Sequence, residues 1–158
     1  MPRLRRGAQL YRYADDFVAL FLDEEDARRV LDVLPKRFGK YGLTLHPEKT
    51  RLVRFKPPGD DENGEPAGTF DLLGFMHRWQ RSRKGRWVVR QVTAPSRFRR
   101  GLQRLSQWLR KVRNLSLEVQ RVGLIRRLRG HGAYYGIAGN SPALGRFRWA
   151  ALTLWRSW

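Results

Sequence analysis

The chain has 158 residues, 33 of them Lys or Arg against 14 Asp or Glu, for a formal net charge of +19. Hydrophobic residues make up 41% of it, enough to bury a core and too many for compositional disorder. No run approaches the roughly 18 apolar residues that a spanning helix needs, and with no cysteine there is neither a disulfide framework nor a thiolate metal site. The basic opening at residues 1–6 is not followed by a signal-type apolar stretch, because Tyr13-Ala14-Asp15-Asp16 interrupts the run. A cytoplasmic location is the expectation. So strong a positive charge on a folded, aromatic-rich chain calls for a polyanion, with nucleic acid first. An anionic membrane surface ranks last, and no membrane partner is expected.

In chain order, residues 10–13 and 17–21 are both β-prone and flank Ala14-Asp15-Asp16, which predicts a hairpin. Asp23 reads as a helix N-cap with Asp26 three residues on. Ala27, Val30, Leu31, Leu34, Phe38 and Tyr41 recur at helical spacing, predicting an amphipathic helix over 24–41 with Pro35 as a kink or break and Gly42 as its end. Residues 50–55 read as a strand, and residues 57–68, with Asp60 and Asp61, as a polar loop. Residues 70–79 and 86–93 predict a second hairpin turned by Ser82-Arg83-Lys84-Gly85.

After Pro95 the pattern turns helical and basic. Phe98, Leu102, Leu105, Leu109 and Val112 form one stripe over 97–113, and Leu117, Val122, Leu124, Ile125 and Leu128 another over 117–129. A third helix is expected over 144–158. The reading is thus an α+β fold in two parts, 1–94 and 95–158. Residues 95–158 hold 14 basic residues and a single acid, Glu118, while residues 1–94 hold 19 basic and 13 acidic ones. The C-terminal part is the main polyanion-binding surface.

Two features carry chemistry. Adjacent carboxylates at a hairpin tip, Asp15 and Asp16, suit a hard cation such as Mg²⁺, which takes carboxylate oxygen and completes its shell with water and phosphate. A solvated turn is the alternative, since Asp is common in turns. On a strand the two acids would face opposite ways and would not be equivalent ligands. The second feature is the interleaving of arginine with Trp79, Trp87, Trp108, Trp149, Trp155 and Trp158. Arginine forks bind phosphate in bidentate fashion, and aromatics stack on unpaired bases. Collectively, Arg97, Arg99, Arg100, Arg104, Arg110, Lys111, Arg113, Arg126, Arg127 and Arg129 are the expected RNA contacts, with Tyr134 and Tyr135 as stacking candidates. The alternative is that most of the aromatics are core, and it is the preferred reading for Trp108, near the apolar stripe, and for either tyrosine taken alone. His46, His77 and His131 share no metal-ligand spacing.

Arg12-Tyr13-Ala14-Asp15-Asp16-Phe17-Val18 resembles the palm hairpin of group II intron reverse transcriptases. Three further blocks follow in that family's order. Residues 42–50, with His46-Pro47-Glu48-Lys49, resemble the next block, and Phe70-Asp71-Leu72-Leu73-Gly74-Phe75 the one after it. Arg129-Gly130-His131-Gly132-Ala133-Tyr134-Tyr135 with Gly139-Asn140-Ser141-Pro142 resembles the maturase-specific region. His131 departs from the pattern, standing where the family usually has an aromatic.

The resemblance implies a partial reverse-transcriptase palm over 1–94 and a three-helix thumb and maturase region over 95–158. It implies RNA-directed DNA synthesis together with help in folding and splicing intron RNA. Asp15 would be a catalytic Mg²⁺ ligand, Asp16 its supporting partner, and Lys49 a cation near the triphosphate or leaving pyrophosphate. Leu73, Gly74 and Phe75 would form the hairpin that grips the primer's 3′ end, with a bulge glycine in a structural hairpin as the alternative. The partners implied are intron RNA and template-primer, with DNA as a further candidate. Members of the family carry fingers and another metal-binding Asp upstream of this hairpin, and neither is seen in the nine residues that precede residue 10. Catalysis by this segment alone is therefore left open, a complementing N-terminal half is a candidate partner, and a non-catalytic RNA-binding maturase module is the alternative function.

Overall fold

The structure, a computed structural model, describes residues 5–59 and 67–157. The remainder of the polar loop, with Asp60 and Asp61, and the last tryptophan, Trp158, lie outside the described residues. Among the described residues the fold is an α+β mixture, as the sequence predicts, of two small antiparallel sheets and four helices. By compactness it divides into two units, Met1–Lys56 and Pro57–Trp158.

In the first unit, β1 (Ala8–Tyr13) and β2 (Asp16–Phe21) form the expected hairpin, in register from Ala8 opposite Phe21 to Tyr13 opposite Asp16. Every residue of β1 is exposed, whereas Phe17, Val18, Ala19 and Phe21 of β2 are half-buried. Phe17 stacks on Phe38 of α1 (Glu24–Gly39), 6.1 Å between ring centroids. The Asp23 side chain caps α1 by accepting from the backbone N–H groups of Glu25 and Asp26 at 2.8 and 3.3 Å. Asp26 does not close a capping box. Its side chain is one methylene shorter than the glutamate of that motif, and its carboxylate instead accepts from the backbone N–H groups of Arg5 and Arg6, at 2.7 and 3.1 Å. Those bonds satisfy Oδ2 of a carboxylate that is 1% exposed, while Oδ1 is buried without a hydrogen-bond partner, 4.0 Å from Arg29 Nη1. The helix runs through Pro35 without a break. It is closed by Gly42, at φ +70°, whose N–H bonds Gly39 O while Leu43 N–H bonds Phe38 O.

The strand expected over 50–55 does not form. Residues 51–57 have no regular structure, although Val53 and Phe55 are half-buried between exposed neighbours. Alternation marks a half-buried extended segment, but a strand also needs a ladder partner, and Pro57-Pro58 offers no donors to one.

The second unit begins with a three-stranded meander in place of the expected hairpin. β3 (Phe70–Leu72) and β4 (Phe75–Arg81) are separated by a two-residue turn at Leu73-Gly74, and β5 (Trp87–Thr93) pairs along all of β4. Strand propensity over 70–79 does not show this turn, but it falls where the family resemblance implies a hairpin, at Leu73-Gly74-Phe75. Three helices follow: α2 (Pro95–Val112), α3 (Leu117–Tyr135) and α4 (Ser141–Arg156). Leu105, Leu109, Leu124 and Ala151 form the buried core, with Trp108, Leu128 and Trp155 packed on it.

The α2 stripe is the one predicted, but that of α3 is not. Of its five apolar residues only Leu124 is buried, and Leu117, Val122 and Ile125 are exposed. Gln120 occupies the inward position instead, 7% exposed. Its amide donates to Leu115 O at 2.9 Å, and its oxygen accepts from Trp155 Nε1 at 3.0 Å. A polar residue can be buried there because its donor and acceptor are both used.

Candidate active site and nucleic-acid interface

The turn between β1 and β2 is two residues long, Ala14-Asp15, with Ala14 at φ +53°. Two-residue hairpins need positive φ at the first central position to match strand twist, which is uncomfortable for a residue with a Cβ. Arg12 Nε fastens the turn by donating to Ala14 O at 2.8 Å. Asp15 thus sits at the tip and Asp16 opens β2, both exposed. Their inequivalence arises because one belongs to the turn and the other to the strand. Among the described residues no group of three or more His, Asp or Glu is placed to hold a metal ion. The pair offers hard oxygen donors open to solvent, which fits part of a Mg²⁺ shell.

Lys49 lies in a turn, its N–H bonding His46 O at 3.2 Å, with its side chain exposed. Among the described residues it forms no ion pair with Asp15 or Asp16.

The second unit gathers several of the other predicted residues in one place. Leu73 and Gly74 form the β3–β4 turn, at φ +51° and +82°. Tyr134 OH donates to Leu73 O at 2.9 Å, and Ala94 N–H donates to Gly74 O at 3.0 Å. Phe75 stacks on Tyr134 at 5.9 Å and meets Tyr135 edge-on at 5.3 Å. A Cβ on Gly74 would stand 3.1 Å from Tyr135 OH and 3.6 Å from Arg97 Cγ. Glycine is therefore required there twice over, by conformation and by space. Burial pushes the Tyr135 phenol above its ordinary range. Both tyrosines are engaged within the protein, with Tyr134 still 57% exposed.

Asn140 lies beneath this cluster and is fully buried. It accepts from Thr93 N–H at 3.0 Å and donates to Thr93 Oγ1 and Tyr135 O at 2.9 and 2.8 Å. It joins the end of β5, the end of α3 and the start of α4. The sequence shows Asn140 within the Gly139-Asn140-Ser141-Pro142 motif but not this role, which needs a partner 47 residues away.

All ten predicted cationic contacts, from Arg97 to Arg129, are exposed. Arg127 is also held within the protein, its guanidinium 3.9 Å over the Trp108 ring and its Nη1 donating to Gly123 O at 3.1 Å. Arg104 and Arg127 line a groove of about 320 Å³, and Arg129 and Arg148 a second of about 420 Å³, with Leu128, His131 and Phe147 shared between them. His131 lies flat on Phe147, 3.6 Å between centroids, with Nε2 buried and without a hydrogen-bond partner. Burial pushes its pKa down.

Searches of the curated proteins and of the solved structures returned no match to the chain. The family model described as reverse transcriptase (RNA-dependent DNA polymerase) matches residues 1–83. That span takes in the Asp15-Asp16 hairpin, α1, the Lys49 turn and the β3–β4 turn. It covers more than half of the chain, and the chain belongs to the reverse transcriptase family.

Proposed function

We propose that the chain is part of a group II intron-type RNA-directed DNA polymerase and maturase, with its palm in residues 1–94 and its thumb in residues 95–158, acting on intron RNA and template-primer in the cytoplasm. The observation that carries the polymerase reading is the pair of exposed carboxylates on a tight, fastened hairpin in a chain of this family. Asp15 would hold Mg²⁺, with Asp16 supporting it. The ion would neutralise charge on the reacting phosphates. Asp15, held at the tip by the bond from Arg12 to Ala14 O, presents its oxygens where strand pairing leaves no neighbour to cover them. Lys49 would add a cation for the leaving pyrophosphate. The turn at Leu73-Gly74-Phe75 would meet the primer, its backbone set in place by Tyr134 and Ala94. Arginines of α2 and α3 would hold RNA phosphate.

A second reading is an RNA-binding maturase module without catalysis. It is favoured by the want of a third ligating side chain beside Asp15 and Asp16 among the described residues. Primer extension on an RNA template with Mg²⁺, comparing the chain with Asp15→Asn at matched RNA binding, separates the two. The assay is run with the chain alone and with a complementing polymerase segment supplied in trans. The polymerase reading expects extension to fall by at least about 100-fold in the variant. Salt-sensitive RNA binding without extension in either setting supports the maturase reading, and failure to bind RNA overturns both.

A further inference from the structure

Trp149 stands apart from the other tryptophans. Trp79, Trp87, Trp108 and Trp155 are half-buried, while Trp149 is 72% exposed, and it is the only exposed one among the described residues. A tryptophan can remove about 150–250 Å² of surface from water, so leaving one in solvent forgoes a large contribution to folding. Its surroundings are cationic. On α4, Arg146 precedes it by three residues and Arg156 follows it by seven, placing both on its side of the helix, and both are exposed. The two are about 15 Å apart along the axis. Arg148 extends the charge into the wall of the larger groove between α3 and α4.

The ring also has room. Helical side chains lean back over the preceding turn, which for Trp149 is the position of Gly145. A Cβ built on Gly145 meets nothing within 4 Å. The next turn carries Thr153, whose hydroxyl is folded onto Trp149 O at 3.1 Å. No bulky side chain at either position covers the indole.

We infer that Trp149 is a base-stacking platform on α4 for an unpaired nucleotide of single-stranded RNA, whose flanking phosphates are held by Arg146, Arg148 and Arg156. Charge complementarity selects this occupant. Residues 95–158 contain one carboxylate, Glu118, and Arg121 holds it with bonds of 2.9 and 2.7 Å. An exposed aromatic among arginines matches what single strands require: a π-surface for a base and cations that can follow the backbone. The inference rests on the nucleic-acid reading above and adds to it a residue, a face and a preference for unpaired over paired strands.

The test is anisotropy of a labelled oligoadenylate and of a blunt RNA duplex of equal length, with wild type, Trp149→Leu and Trp149→Phe. Trp149→Leu is expected to bind the single strand about 5- to 150-fold more weakly, with the duplex unaffected. Trp149→Phe keeps most of the affinity, because it keeps an aromatic face. The salt slope is the same in all three, because no cation is removed. Thermal unfolding is likewise unchanged, since the side chain is exposed. Unchanged single-strand binding in Trp149→Leu overturns the inference and leaves RNA binding intact, as does a loss shared equally by strand and duplex. Loss of binding only to phosphatidylserine vesicles would assign the face to a membrane instead. Failure of the wild type to bind either RNA removes the nucleic-acid reading and the inference together.

Discussion

His131 concentrates the chemistry of the helical core in one ring. It stacks on Phe147, lies 4.6 Å from Tyr135 between ring centroids, and has a buried Nε2 with no partner. Burial therefore favours the neutral imidazole and lowers its pKa from the ordinary 6.5. The folded state holds this proton less tightly than the unfolded chain does, so stability is complete above pH 6.5 and declines as pH falls below it. His77 acts in the same direction, lowered mainly by burial and raised in part by the Phe75 and Phe70 backbone and by Asp71. His131→Phe keeps a ring on Phe147 and removes the titration. Its urea midpoint should fall less than that of wild type between about pH 7.5 and 5.5, with His77 supplying the remaining slope. An equal fall in both proteins would show that His131 carries none of it. His131 was legible in the sequence only as a departure from a family pattern, because stacking on a ring 16 positions along the chain leaves no local signal. Asn140 was hidden for the same reason, since all that makes it a hub is the closeness of Thr93 and Tyr135.

At the scale of elements, α3 shows where local rules stop. Periodicity predicts a helix ending at residue 129, and Gly130 and Gly132 disfavour continuation by about 1 kcal/mol each. The helix nevertheless runs to Tyr135, because Tyr134 and Tyr135 are anchored on Phe75 and Leu73 in the β3–β4 turn. The same helix holds glycines of opposite kinds. A Cβ on Gly123 would stand 2.5 Å from Trp108 Cζ2, whereas one on Gly130 meets nothing within 4 Å. Gly123 is thus what lets the Trp108 ring, with Arg127 over it, lie against α3. Gly123→Ala is expected to destabilise by about 1–3 kcal/mol, overpacking outweighing the gain in helix propensity. Gly130→Ala should stabilise by about 0.5–1 kcal/mol. Urea denaturation followed by circular dichroism measures both, and effects of the same sign would contradict this account of the packing. Helix number and the α2 stripe were legible because each is a local period. The β3–β4 turn was legible only through the family resemblance at Leu73-Gly74-Phe75, and the exposed apolar face of α3 was not, because it depends on which neighbours arrive.

For the whole molecule, charge was the most legible property and the one least tied to fold. Composition alone marks the chain as polyanion-binding, and the Asp15-Asp16 hairpin was readable from a short pattern with apolar flanks. What could not be read was which cations face solvent and which are committed within the protein. Arg127 is committed to Trp108 and Gly123, and burial, followed by repulsion from Arg126, lowers its pKa. Arg100 and Arg104 on α2 are exposed, and Arg104 lines a groove together with Arg127. If about 6–10 such cations meet phosphate, RNA affinity should fall by roughly 10³–10⁵ between 50 and 200 mM salt, through release of condensed counterions. Changing Arg100 and Arg104 together to Gln should lower the log–log slope by about 1.4–1.8. Asp15→Asn should leave the slope as it is, because it removes no cation. Arg127→Gln should cost stability as well as affinity, since it strips a cation from the Trp108 face. Anisotropy over a salt series measures the slopes. A wild-type slope near zero would mean that the positive charge of residues 95–158 serves something other than a nucleic-acid backbone, and an Arg100/Arg104 variant with an unchanged slope would place the phosphate path elsewhere on the helices.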